Sequence, residues 1–188
     1  MKKIKTLFVR DFGDPQKRVI NKVTEGCEWV LAGEGWATRK YDGTCCMVKD
    51  GQLYKRYDCK KGKKPPFGFI PAQEPDKITG HWPGWVKVDP DDKSNKWYLK
   101  AWDECGCVLD DGTYELCGEH VQGNPEKISG GDKFIRHGMT VLDGVPRDFE
   151  GLHQYLSENY MEGIVFYRKN GDKAKIKRTD FGLKWGNR

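Results

Sequence analysis

Apolar and polar positions alternate along this chain in short runs broken by Gly, Asn, Asp and Pro, the pattern of strands joined by tight turns. Residues 5–9 and residues 29–32 each read as a short strand. Residues 45–48 and 53–57 flank Asp50-Gly51, which predicts a hairpin because both turn residues tolerate positive φ. Residues 113–116 read as a strand running into Gly118. Residues 164–167 form another, and Asn170-Gly171 folds it back onto a return strand over residues 173–178. A clear helical period occurs over residues 149–159, where Leu152, Tyr155 and Leu156 share a face, Asp148 can cap the start and Pro146 precedes it. Residues 97–102 are aromatic and suit either a strand or one helical turn. Residues 62–92, rich in Pro, Gly and Lys, predict a loop over the surface that carries His81-Trp82-Pro83-Gly84-Trp85. Hairpins with a single clear helix argue against a parallel sheet with alternating helices. They predict an α+β class with mixed or antiparallel sheets and a cleft between them.

A length of 188 residues supports one domain, residues 1–188, with a substantial core. Lys and Arg total 33 against 28 Asp and Glu, a formal charge of +5 that fits a nucleic-acid partner and equally fits many enzymes of neutral substrates. The local clustering is sharper: Lys55-Arg56, Lys60-Lys61 and Lys63-Lys64 lie close together, as a phosphate-guiding patch or as a solvated run. No apolar run reaches membrane-spanning length, and the basic start lacks the apolar core of a secretory leader, so an intracellular protein with mostly reduced thiols is expected. The seven cysteines are odd in number. Cys105-Gly106-Cys107 with Cys117 and His120 offers zinc-type ligands, but its one-residue gap is tight for a knuckle, which favours structural cysteines.

Lys40 carries the most chemistry. It precedes Tyr41-Asp42-Gly43-Thr44, with apolar runs on either side, and a lysine beside a glycine turn suits covalent chemistry. On the return strand, alternation puts Lys173, Lys175 and Lys177 on one face and turns Ala174 and Ile176 toward a core. Like charges on one face repel unless they meet solvent or anions; a triphosphate supplies the anions, and a wet edge strand supplies the solvent. Glu162, Glu115 and Asp42 sit at strand ends and turns beside basic residues, where carboxylates can hold a divalent cation next to phosphates. Attack by Lys40 on an α-phosphorus requires the neutral amine, and nearby positive charge from Lys175, Lys177 and a metal favours that form.

These elements together resemble the covalent nucleotidyltransferase superfamily of ATP-dependent ligases and capping enzymes. Lys40-Tyr41-Asp42-Gly43 resembles its motif I, which implies that Lys40 receives AMP and that Asp42 and Gly43 border the nucleotide. Lys55-Arg56 resembles motif Ia, implying that Arg56 engages a phosphate. Tyr114-Glu115-Leu116-Cys117-Gly118 resembles motif III, implying a ribose contact for Glu115, with Glu119 the alternative register. Glu162-Gly163-Ile164-Val165 resembles motif IV, implying metal binding by Glu162, and Lys175-Ile176-Lys177 resembles motif V, whose lysines contact phosphates. The run from Lys40 to Cys46, with Tyr114-Glu115-Leu116 leading into His120-Val121-Gln122-Gly123-Asn124-Pro125, is similar to the small RNA ligase 1 family. That resemblance implies an adenylyltransferase fold and the sealing of a 5′-phosphate to a 3′-hydroxyl on RNA. The ligation passes through enzyme-lysyl-AMP and RNA-adenylate intermediates and uses ATP with Mg²⁺ or Mn²⁺. It further implies catalytic roles for Lys40, Arg56, Glu162, Lys175 and Lys177, a nucleotide site including Asp42, Gly43 and Glu115, and metal contacts from Glu162 and Glu115. Asn124 and Pro125 would shape a nearby loop, and Tyr41, Thr44, Cys45 and Cys46 would support the pocket by packing.

The chain also departs from the pattern. Many relatives carry an acid just before the lysine, where this sequence has Arg39; Glu34 lies a few residues earlier, and residues 36–38 could border the adenine. The sequence ends just after motif V, which fits a minimal RNA ligase without a C-terminal OB domain better than a DNA ligase or guanylyltransferase. Trp82 and Trp85 could stack RNA bases or anchor their loop to the core. A non-catalytic RNA-binding protein, whose lysines form only an electrostatic groove, is the alternative of a different class. With no long amphipathic seam, a monomer is expected.

Overall fold

The chain opens with two short strands, Lys5–Thr6 (β1) and Phe8–Arg10 (β2), and β2 pairs with Val19–Val23 (β3). A helical turn, Glu28–Leu31 (α1), leads into Trp36–Lys40 (β4). Next come Thr44–Lys49 (β5), Gln52–Cys59 (β6), Ile70–Pro71 (β7) and Trp82–Lys87 (β8), then the helix Lys96–Glu104 (α2). Gly112–Gly118 (β9), Asp132–Arg136 (β10) and Val141–Leu142 (β11) follow. The helix Phe149–Glu158 (α3) then leads to Gly163–Tyr167 (β12) and Lys173–Lys177 (β13). This computed structural model describes residues 1–105 and 109–186. It is an α+β fold with several sheets and few helices among the described residues. No described helix is long and apolar enough to cross a membrane.

Contacts divide the chain into two units. The first comprises Ile4–Tyr41 and Gly138–Arg188. Its sheet runs β1-β13-β12-β4-β11, with β1 parallel to β13 and the other neighbours antiparallel. Alternation turns Ile164 and Phe166 on β12, and Ala174 and Ile176 on β13, to one face of this sheet, where all four are completely buried. They join Leu152 and Leu156 of α3 in one core, as the helical spacing requires. Asp148 caps α3 by accepting the Gly151 amide at 2.8 Å.

The second unit comprises Met1–Lys3 and Asp42–His137. Its sheet runs β10-β9-β5-β6-β8-β7, antiparallel between every pair of neighbours. Cys46, Val48, Leu53, Tyr114 and Leu116 form its core, with Tyr98, Leu99 and Trp102 packed against it from α2. Asp50 and Gly51, at φ of 51° and 67°, make the two-residue turn that aligns Lys49 with Gln52.

Two segments differ from the sequence expectation. Residues 29–32 do not form a strand. The Ala32 amide bonds the Glu28 carbonyl at 3.1 Å, and Trp29 and Val30 are both buried between exposed Glu28 and Leu31. Adjacent buried residues fit a helical turn and conflict with the two-residue alternation of a strand. Nor are residues 62–92 only a loop: Trp82–Lys87 pairs along β6 from Cys59↔Trp82 to Tyr54↔Lys87. That pairing is set by strands distant in sequence, which overrides the local Pro and Gly signal. The ambiguous residues 97–102 lie within the helix α2.

Candidate active site

Strand register in the first unit builds a lysine cluster. Lys40, the last residue of β4, pairs with Gly163 of β12, and Gly163 pairs in turn with Lys177 of β13. Two lysines therefore flank a position with no side chain, on the face opposite Ile164 and Ile176. Only glycine fits there: a Cβ on Gly163 would stand 2.2 Å from the Ile176 carbonyl oxygen. Glu162, one residue before β12, reaches both lysines. Lys40 Nζ donates to its Oε2 at 2.5 Å, and Lys177 Nζ lies 4.0 Å from its Oε1. The carboxylate side chain is only 10% exposed, so this pair is shielded from bulk water. Lys40 Nζ also donates to the Tyr41 carbonyl at 3.4 Å.

Lys175 lies two residues from Lys177 on the same face, opposite Val165. Burial lowers its pKa to about 8, helped by repulsion from Lys40 and Lys177 and opposed by Glu162 and Asp180. The 3₁₀ turn Arg178–Phe181 fixes the end of β13: the Lys177 amide donates to Asp180 Oδ2 at 2.9 Å, and buried Asp180 pairs with Arg10. The predicted Lys40, Glu162, Lys175 and Lys177 thus form one group. A carboxylate and three lysine amines in that arrangement can hold and polarise a phosphoryl group.

The remaining predicted residues lie in the second unit. The Asp42 amide donates to Glu126 Oε1 at 2.7 Å, and the Gly43 amide to Glu115 Oε1 at 3.1 Å. Gln122 Nε2 donates to the Gly43 carbonyl at 2.7 Å. Glycine is required here as well, because a Cβ on Gly43 would stand 2.1 Å from the Leu116 carbonyl oxygen. Glu115 Oε2 lies 2.9 Å from His137 Nε2, and His137 Nδ1 lies 3.0 Å from Thr113 Oγ1. Glu119 instead accepts the Gly130 amide at 3.1 Å in an exposed loop. Glu162 and Glu115, the two predicted metal contacts, belong to different units. Among the described residues, Cys45, Glu115 and His137 are the group whose ligand atoms, all within 4.8 Å of one another, could hold a metal ion.

Arg56 donates to the Met1 carbonyl at 2.8 Å, and its guanidinium lies 4.9 Å from the centre of the Trp85 ring. It lines a cavity of about 440 Å³ with Lys3, Asp58, Gln73 and His81. Trp85 is 2% exposed and serves the core, so it offers no face for base stacking; the Trp82 indole N–H is bonded to the Gln73 carbonyl at 2.8 Å. Lys55 bonds Asn95 at 2.5 Å, a structural use. Glu34 pairs with Arg168 at 2.6 Å, and Trp36, at the opposite end of β4 from Lys40, stacks on Tyr167. Ala37 and Thr38 are buried. Of the zinc-type residues that the sequence offered as the lesser alternative, Cys107 lies outside the described residues, Cys105 Sγ donates to the Trp102 carbonyl, and His120 is held by Asp132 at 3.0 Å and by stacking on Trp97. Asn124 braces its loop by bonding the Ile128 amide and carbonyl.

Gln122, Glu126 and His137 escaped the sequence reading. Gln122 lies in the run from His120 to Pro125, but no local pattern separates any of the three from ordinary surface polar residues. Their partners lie 79, 84 and 22 residues away in sequence.

No protein-family model matches the chain. It is similar to curated proteins named RNA ligase 1. The orangutan (Pongo abelii) protein is 28% identical over 220 aligned residues, covering 79% of this chain and 67% of the relative. The rat (Rattus norvegicus) protein is 28% identical and the zebrafish (Danio rerio) protein 27%, each over 221 aligned residues, with 79% of this chain and 68% of the relative covered. The likeness is distant and consistent across vertebrates.

Proposed function

We propose that the chain is an ATP-dependent RNA ligase, with residues 1–188 acting as one adenylyltransferase domain and as a monomer. The observation that carries this reading is the Lys40 amine, 2.5 Å from Glu162 and flanked across the sheet by Lys177. The distant likeness to proteins named RNA ligase 1 supports the choice of RNA ends as substrate.

In this reading the neutral Lys40 amine attacks the α-phosphorus of ATP. A P–N bond forms, the bond to the bridging oxygen breaks, and pyrophosphate leaves. Glu162 accepts the ammonium proton before attack, a role supported by its 2.5 Å contact with Lys40 Nζ. Lys175 and Lys177 balance charge on the phosphates as pyrophosphate departs. Glu115 contacts the ribose, Asp42 and Gly43 border the nucleotide, and Arg56 engages a phosphate of the substrate strand. AMP then passes to a 5′-phosphate of RNA, and attack by a 3′-hydroxyl seals the strand and releases AMP. A divalent cation, Mg²⁺ or Mn²⁺, would supply charge neutralisation on the triphosphate, and Glu162 is the acid that would hold it beside Lys40.

Covalent transfer from ATP labelled at its α-phosphate tests the reading. Label retained after denaturation of the wild type and absent from Lys40→Ala is the expected result. Matched 5′-phosphorylated RNA and DNA ends, and GTP in place of ATP, then separate RNA ligation from DNA ligation and guanylyl transfer. A folded wild type that takes no label with Mg²⁺ or Mn²⁺ across the pH range would leave a non-catalytic RNA-binding role.

A further inference from the structure

We infer that Cys45, Glu115 and His137 form a site for a thiophilic divalent transition ion of the Zn²⁺ class, separate from the Mg²⁺ or Mn²⁺ that accompanies ATP. Three neighbouring strands build it. Cys45 of β5 is the direct register partner of Glu115 of β9. His137 follows directly after β10, and its amide continues that ladder to the Thr113 carbonyl, two residues before Glu115. Residues two apart on a strand face the same way, so Thr113, Glu115, Cys45 and His137 meet on one face of the sheet.

The ligand atoms lie within 4.8 Å of one another. Bonds of ~2.0–2.3 Å at tetrahedral angles would set them about 3.5 Å apart, a difference that small side-chain rotations close. The orienting contacts are already in place. Thr113 Oγ1 sits 3.0 Å from His137 Nδ1, which leaves Nε2 as the ligating nitrogen. The Gly43 amide holds Glu115 Oε1, which leaves Oε2 facing His137. An ion would take the place of the contact between Glu115 Oε2 and His137 Nε2.

The donor set decides the metal. A thiolate and an imidazole beside one carboxylate suit Zn²⁺, Co²⁺ or Ni²⁺, whereas Mg²⁺ and Mn²⁺ prefer oxygen. A bound thiolate, a carboxylate and a neutral imidazole would together cancel the charge of a divalent ion. With three protein ligands, the fourth position stays open to water or an exogenous group.

One consequence rests on the ribose role proposed for Glu115. A carboxylate bound to the ion is no longer available to a ribose hydroxyl, so the ion and ATP exclude one another and a thiophilic metal acts as a brake on adenylylation.

Titration of the reduced, unadenylylated protein with Co²⁺ tests the site. The expected result is a thiolate-to-cobalt charge-transfer band that saturates at one equivalent, disappears in Cys45→Ser, and needs at least tenfold more Co²⁺ in His137→Gln. Circular dichroism checks that both variants fold. Absence of the band, or its survival in Cys45→Ser, overturns the site. ATP affinity of the wild type, measured by calorimetry with and without one equivalent of Co²⁺, is expected to fall at least tenfold; an unchanged affinity with the band present overturns the exclusion. Lys40 labelling is a separate readout: a cobalt band without lysyl-AMP would preserve the metal site and remove the ligase reading.

Discussion

Lys40 and Glu162 are 122 residues apart in sequence, yet Lys40 Nζ and Glu162 Oε2 lie 2.5 Å apart because β4 and β12 are antiparallel neighbours in register. Glu162 thereby holds the amine at the end of its strand, within the same charge cluster as Lys177. Replacing it with Gln keeps the shape and removes the charge. Glu162→Gln is expected to slow lysyl-AMP formation by about 10²-fold or more while the protein stays folded. Time courses of label incorporation, with circular dichroism as the folding control, check this.

Lys175 links pH to stability and, in its proposed phosphate role, to binding. Its folded pKa of about 8 is below the ordinary lysine value of 10.5, mainly through burial. Between those values the unfolded chain binds the extra proton, so this group makes stability rise as pH increases from about 8 toward 10.5. Phosphate binding has the opposite sign, since it needs the charged amine: ATP affinity should fall as pH rises through about 8. Lys175→Met should raise the melting temperature near neutral pH and weaken ATP binding, the trade expected where a site stores unfavourable charge. Thermal melts and calorimetry at several pH values would reveal the two opposing trends.

Gly163 is set by packing. A Cβ there would meet the Ile176 carbonyl oxygen at 2.2 Å and must push β12 from β13. Gly163→Ala is expected to destabilise the fold by about 1–3 kcal/mol and to separate Lys40 from Lys177. Urea denaturation gives the first quantity, and the labelling rate at low temperature, where the variant remains folded, gives the second.

Asp180 is 1% exposed and paired with Arg10, and it also accepts the Lys177 amide. Arg10→Ala leaves that carboxylate buried without its cation. The expected loss is about 3 kcal/mol of stability. Asp180→Asn in the same background should restore part of it, because the uncompensated charge is gone; chemical denaturation of the single and double variants tests this.

Much of the local structure was legible. The Asp50-Gly51 and Asn170-Gly171 turns, the Asp148 cap and the alternation from Lys173 to Lys177 are properties of a few consecutive residues, and each occurs where the pattern places it. Motif spacing also marked Lys40, Glu162, Lys175 and Lys177, which the fold gathers into one group. The helical turn at Trp29 and Val30 and the strand at Trp82–Lys87 were not legible, because burial and strand partners distant in sequence decide them. The same holds for Gln122, Glu126 and His137, whose partners lie on other segments. Turn chemistry, capping and side-chain period are local free energies and can be read along the chain. Which lysine faces which carboxylate, and that Cys45 meets Glu115 and His137, depend on strand register, which arises only when distant segments pair and bury their apolar faces.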